Sequence, residues 1–167
     1  RAAGTNWTTD ASWSTISSAG AADTVAPTAS DDAILDAGSG NCTISATSVG
    51  KSLTCTGYTG TLTHNAFTLT ISGSVTLVSG MTYTPSSATA SVIVLNSTAT
   101  LTTGGKLLAA VTMTGSNAYT MGDNWSFMAA KTCLVTLFNS GTQLNLNVKT
   151  LSGNSATDRV LVKTGTL

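Results

Sequence analysis

Asp31, Asp32 and Asp36 are the densest acidic group in the 167-residue chain. Hard cations such as calcium take carboxylate and carbonyl oxygens, so a calcium site is the first chemistry they suggest. The spacing argues against it. In an extended strand Asp32 and Asp36 share one face while Asp31 points to the other, no calcium-loop spacing accompanies them, and aspartates beside a Pro/Ser turn cap backbone amides. His64 is the only histidine. It sits in Thr63-His64-Asn65-Ala66, a turn by composition, where a solvent-facing ring is expected. A Ser/His/Asp triad can be named in any chain with 21 serines, but no GxSxG elbow supports one here. Polysaccharide-cleaving enzymes need paired carboxylates or a Lys/Arg/Asp cleft cluster, whereas this chain has no Glu and gathers its aspartates at one end. No catalytic residue, metal ligand or cofactor is therefore assigned.

Cys42, Cys55 and Cys133 are an odd set without CxxC spacing, which leaves zinc and thioredoxin-like chemistry unsupported. Burial as small apolar groups is expected, with a Cys42–Cys55 disulfide as the alternative. Tyr58 and Trp125 are the candidate contacts to a glycan or a protein partner, because aromatic rings stack on sugar faces. Tyr83 and Tyr119 belong to the same set, and for each of these separated rings packing in a core is the competing role. The sequons at Asn6, Asn41, Asn96 and Asn124 carry little information: ten asparagines in a chain one-third Ser/Thr give about three matches by chance.

These groups must be held by strands and turns. The chain has 33 Thr and 21 Ser; Thr and Val fit a pleated surface and lose rotamer freedom on a helix, while Ser competes for backbone hydrogen bonds. Regular Leu, Ile, Val and Phe from Ile34 onward separate it from a disordered linker. The formal charge is zero with no Lys/Arg run, so neither nucleic acid nor an anionic lipid surface is an expected partner. No apolar stretch approaches the roughly 20 residues that cross a bilayer, so membrane insertion is not expected. Five of the seven acids lie in the first 36 residues and six of the seven basic residues at or after Lys51, so the two ends of the molecule differ in charge.

From Asp32 the chain alternates with period two in short bursts. Examples are Cys42-Thr43-Ile44, Ser52-Leu53-Thr54-Cys55-Thr56, Phe67-Thr68-Leu69-Thr70-Ile71, Ala99-Thr100-Leu101, Leu134-Val135-Thr136-Leu137 and Leu144 to Val148. Turn signals such as Ser39-Gly40, Gly57, Ser72-Gly73, Gly104-Gly105 and Gly115-Ser116 separate them. Connections this short exclude crossover helices and a doubly wound α/β fold. An antiparallel β-sandwich and a parallel β-solenoid remain. One phrase favours the solenoid: Leu53-Thr-Cys-Thr-Gly57, Leu69-Thr-Ile-Ser-Gly73, Val111-Thr-Met-Thr-Gly115 and, more loosely, Lys149-Thr-Leu-Ser-Gly153. Start-to-start separations of 16, 42 and 38 residues fit coils of about 16 to 24 residues if some coils carry degenerate phrases such as Val94-Leu-Asn-Ser. The expected architecture is a single right-handed, all-β parallel solenoid over residues 31–167. Residues 1–30 precede it as a cap in which Trp7 and Trp13 cover the open end of the core.

The opening Asn6-Trp7, the Ser12-Trp13-Ser14 pair, Pro27 with Asp31-Asp32, the stretch from Asp36 to Thr43 and that from Lys51 to Leu62 together resemble β-solenoid modules of tailed-phage virion proteins and related bacterial surface proteins. The phage members are fibres, attachment proteins and capsid-decoration proteins. The likeness covers roughly residues 5 to 115, with a weaker echo at Leu151-Ser-Gly-Asn. It implies a shape and a setting, not a reaction: a non-enzymatic structural or adhesive protein on a virion surface or otherwise extracellular. The partners it implies are other virion or surface proteins, copies of itself, or a host glycan. A carbohydrate-binding module of a secreted or cell-surface bacterial protein is the competing expectation.

Overall fold

Alternating inward and outward residues make a strand stable only when its inward side is buried, and here three short strands at a time wrap one core. The computed structural model describes residues 6–86, 91–128, 135–137, 139–152 and 160–162; Cys133 lies outside them. The first coil consists of β1 (Asp32–Asp36), β2 (Cys42–Ile44) and β3 (Ser48–Gly50), and the second of β4 (Ser52–Thr56), β5 (Thr61–His64) and β6 (Thr68–Ile71). The third holds β7 (Val75–Thr76), β8 (Thr82–Pro85) and β9 (Val92–Leu95), and the fourth β10 (Ala99–Thr102), β11 (Leu107–Leu108) and β12 (Ala110–Met113). The fifth holds β13 (Ala118–Met121), β14 (Trp125–Phe127) and β15 (Val135–Leu137), and the sixth β16 (Gln143–Asn145), β17 (Leu151–Ser152) and β18 (Val160–Val162).

Every strand pairing is parallel, which replaces the sandwich alternative with a three-faced β-solenoid. The first strands of the six coils form one six-stranded sheet and the third strands another. The second strands form two three-stranded sheets, β2-β5-β8 and β11-β14-β17. Six strands in a ladder are five steps along the axis, so the chain winds about five turns. Coil lengths, read as separations between paired residues, run from 18 (Ile93 to Val111) to 26 (Val75 to Leu101), wider at the upper end than the sequence phrase implies.

The phrase itself marks strands rather than coils. Leu69 and Val111 occupy one face two coils apart, with Ile93 between them. The degenerate copy is thus Ile93-Val94-Leu95-Asn96, one residue earlier than the sequence suggests. Leu53 belongs to a different face, so the 16-residue separation joins two faces of one coil. Inward residues stack in apolar columns, one running Ala33, Leu53, Val75, Leu101, Met121. Outward residues stack in hydroxyl columns such as Thr54, Thr76, Thr102 and Thr43, Thr63, Thr84.

Corners require residues that tolerate close approach. Gly104 has φ +59, and a Cβ there would stand 2.6 Å from the carbonyl carbon of Val78 on the coil below. Only glycine fits both constraints. Asp123 completes that corner by accepting hydrogen bonds from the backbone N–H of Thr103 at 2.8 Å and of Gly104 at 2.7 Å. The predicted burst Leu144 to Val148 ends early: β16 stops at Asn145, and Asn147 and Val148 turn through φ 48 and 56. β3, β8, β11, β13, β14 and β17 lie outside the predicted bursts, β17 falling in the loose phrase copy from Lys149 to Gly153.

Candidate functional site

The two tryptophans of the lead-in segment sit at the end of the core. Asn6 forms a parallel bridge to Thr43 of β2 on the side away from β5, and the Trp7 N–H donates to the Thr43 carbonyl at 2.8 Å. The Trp7 ring is buried, donates from Nε1 to the Val49 carbonyl at 2.9 Å, and meets Trp13 edge-on with centroids 5.2 Å apart. Trp13 Nε1 donates to the Trp7 carbonyl at 2.7 Å. Each indole therefore combines burial of its rings with a partner for its N–H.

After Trp13 the chain loops out and returns over the outer side of β1. Backbone bonds fix the loop: the Asp23 N–H donates to the Trp13 carbonyl at 2.7 Å, and the Ala26 N–H to Asp10 Oδ1 at 2.8 Å. Between loop and strand lies a groove of about 470 Å³ whose lining includes Trp13, Ile16, Val25, Ile34, Asp23, Asp31, Asp32 and Asp36.

Asp31 and Asp36 act as turn caps, and Asp32 ties β1 to the next coil. Asp31 accepts from both the hydroxyl and the N–H of Thr28, which holds its carboxyl below the usual range. Asp32 accepts from the Ser52 hydroxyl at 2.6 Å and from Lys51 Nζ at 2.9 Å, with the same effect. Burial pushes Asp36 upward, but hydrogen bonds from Ser18, Ser39 and the Gly38 N–H outweigh it and hold the group low. Among the described residues no three His, Cys, Asp or Glu side chains converge in a way that could hold a metal ion.

The remaining candidates lie in the core: Tyr58, Trp125 and Tyr119 take the packing role, and the expected position of His64 is corrected. Tyr58 is fully buried with its hydroxyl 3.1 Å from the Gly40 carbonyl and 3.0 Å from that of Thr61, so its ring closes a corner from within. Trp125 is fully buried and donates to the Leu101 carbonyl at 3.0 Å. Neither offers a ring face to a glycan or a partner. Tyr119 is likewise buried, its hydroxyl against the carbonyls of Leu95 and Thr114. His64 is fully buried instead of solvent-facing: it points inward from β5, in the column that Ile44 occupies one coil below. Its Nε2 lies 2.8 Å from the Phe67 carbonyl and its Nδ1 2.8 Å from the Tyr83 hydroxyl. A carbonyl only accepts, so Nε2 carries a proton and donates to Phe67, while Nδ1 shares a hydrogen bond with the Tyr83 hydroxyl. With both nitrogens engaged, the ring is a structural tie between β5 and β8.

No known family, curated protein or solved structure matches this chain.

Cys42 and Cys55 are buried thiols and not a disulfide. Burial first, and then the neighbouring Cys42, push the Cys55 thiol up to about 12. At a given pH it holds on the order of a thousandfold less thiolate than an ordinary cysteine with pKa about 8.5. In a Cys133→Ser background, Ellman's reagent is expected to detect no thiol in the native protein and two after denaturation. Rapid labelling of either cysteine in the native state would place it at the surface.

The groove was not legible in the pattern of strands, since its outer wall is the loop from Ser14 to Pro27, which has no periodicity. One signal was available. Ile34 is an isoleucine on the outward side of β1, between Asp32 and Asp36, where the later coils place Thr54, Thr76 and Thr102.

Proposed function

We propose that this chain is a non-enzymatic structural module of a surface assembly, with a tailed-phage virion, as capsid decoration or tail fibre, as its setting. The reading is supported by where the chemistry-bearing side chains are placed. His64, Tyr58, Tyr119, Trp125, Cys42 and Cys55 are buried in a continuous parallel stack, Asp31 and Asp36 cap turns, and Asp32 bonds across to the second coil. A stack of this kind resists local opening because its coils are hydrogen-bonded to their neighbours on three faces, or on two between the third and fourth coils. Its outer surface is built from ladders of Thr and Ser. The work of such a module is mechanical: it spaces and presents whatever it is joined to.

Electron microscopy of native particles labelled with an antibody to this chain tests the proposal. Label on a shell or fibre supports it. A free secreted protein, or release of reducing sugars from envelope glycans by the purified chain, overturns it.

A further inference from the structure

Large aliphatic side chains left in water have a cost, and three of them share one place. Ile16, Val25 and Ile34 are 82%, 59% and 52% exposed, and all three line the groove beside the cap. Their arrangement is fixed by the backbone bonds of the loop and by Ser18, whose side chain is held against Asp36. Asp23, Asp31, Asp32 and Asp36 line the same groove, and among the described residues the lining contains no Lys, Arg or His. Lys51, just outside, is paired with Asp32.

We propose that this groove is a docking site for a segment of a neighbouring protein that presents a lysine or arginine beside an aliphatic residue. The occupant's chemistry follows from the lining. Covering the three aliphatic residues is favourable by roughly 25 cal/mol for each Å² removed from water, so the ligand has an apolar part. Asp32 is already paired with Lys51, but Asp23, Asp31 and Asp36, which accept only neutral hydrogen-bond donors, leave the groove acidic, so the apolar part carries positive charge. A Lys or Arg side chain joins both in one unit, an aliphatic stem and a charged head. The volume of about 470 Å³ lies within the 300–1,000 Å³ typical of built sites, and the preformed loop lowers the ordering cost of binding. A bare metal ion uses none of the aliphatic surface. A neutral glycan gains nothing from the carboxylates and finds no ring to stack on, since Trp13 is buried. Nucleic acid is repelled. The inference rests on the scaffold proposal only in making the occupant a protein.

The probe is a fluorescein-labelled heptapeptide with one lysine, one arginine and two leucines, followed by fluorescence anisotropy with the whole chain. Saturable binding that weakens with added salt is expected. It should fall at least about tenfold, equivalent to about 1.4 kcal/mol, in the double variant Ile16→Ser, Ile34→Ser and in Asp23→Asn. These side chains lie at the surface, so the fold should survive, and an unchanged urea midpoint verifies that. The inference is overturned if the peptide does not bind, if a glutamate-bearing control binds equally, or if the variants bind like the unaltered chain. Calcium binding that is indifferent to the isoleucine substitutions would assign the groove to a cation and overturn it too. So would concentration-dependent self-association by sedimentation velocity that the isoleucine variants abolish, which would make the occupant a second copy. Label on a virion together with no peptide binding would remove the groove proposal and leave the scaffold standing.

Discussion

Replacing Trp125 with alanine is expected to destabilise the protein by about 3–5 kcal/mol, the usual cost of truncating a fully buried large aromatic. The indole is a strut. It projects inward from β14 on one face and donates from Nε1 to the Leu101 carbonyl of β10 on another, two faces of successive coils. Leu101 keeps the Gly122 N–H as a partner when the indole is lost, so the loss is mainly packing volume and not an orphaned carbonyl. Trp125→Phe, which keeps most of the volume and gives up the hydrogen bond, is therefore expected to lose only about 1–2 kcal/mol. Each coil contacts only its neighbours, so the damage should be local. Hydrogen exchange in Trp125→Ala is expected to speed up in β13 to β17 while the amides of β4 to β6 keep their protection. Urea denaturation measures the magnitude, and a loss below 1 kcal/mol would show that the indole is not a strut.

The same tryptophan shows how far the sequence could be read. The burst pattern located most strands because Thr alternates with Leu, Ile and Val, and those columns are what the solenoid stacks. It passed over Ala118-Tyr-Thr-Met121 and Trp125-Ser-Phe127, which alternate equally well but carry aromatics. Tyr119 and Trp125 were therefore left open between a surface contact and core packing, although their own period places them in the core. His64 was misplaced for a related reason. Asn65 and Ala66 look like a turn, yet Leu62 and His64 are two apart and both point inward, and a histidine is tolerated there because Phe67 and Tyr83 satisfy its nitrogens. Coil length was only partly legible. Strands are fixed by pairing, but corners absorb insertions freely, so a repeat measured from phrase to phrase mixes faces with coils. The groove was the least legible feature because it depends on a loop meeting the outer side of β1, a long-range encounter that no local period encodes.

Removing Trp7 tests what an end costs. The strands β1, β2 and β3 are paired on one side by β4, β5 and β6, and their inward residues would meet water at the far side without a cover. Trp7 supplies that cover: its ring is 1% exposed, and a Cβ on Gly50 would stand 3.4 Å from its Cζ2, so the indole lies directly on the first coil. Trp7→Ala is expected to cost about 3–5 kcal/mol and to leave the end of the apolar column open. An open end carries both apolar surface and unpaired strand edges, which favours pairing with another open end. The variant should therefore bind anilinonaphthalene sulfonate and sediment as concentration-dependent oligomers, two signs that Trp125→Ala should show far less, since its cavity is internal. Trp13→Ala is expected to cost less than Trp7→Ala, because Trp13 lies outside Trp7 and its loss leaves the inner indole bonded to Val49. If Trp7→Ala remains a monomer with an unchanged urea midpoint, the first coil does not need its cover, and residues 6–13 are an attachment to the solenoid and not its cap.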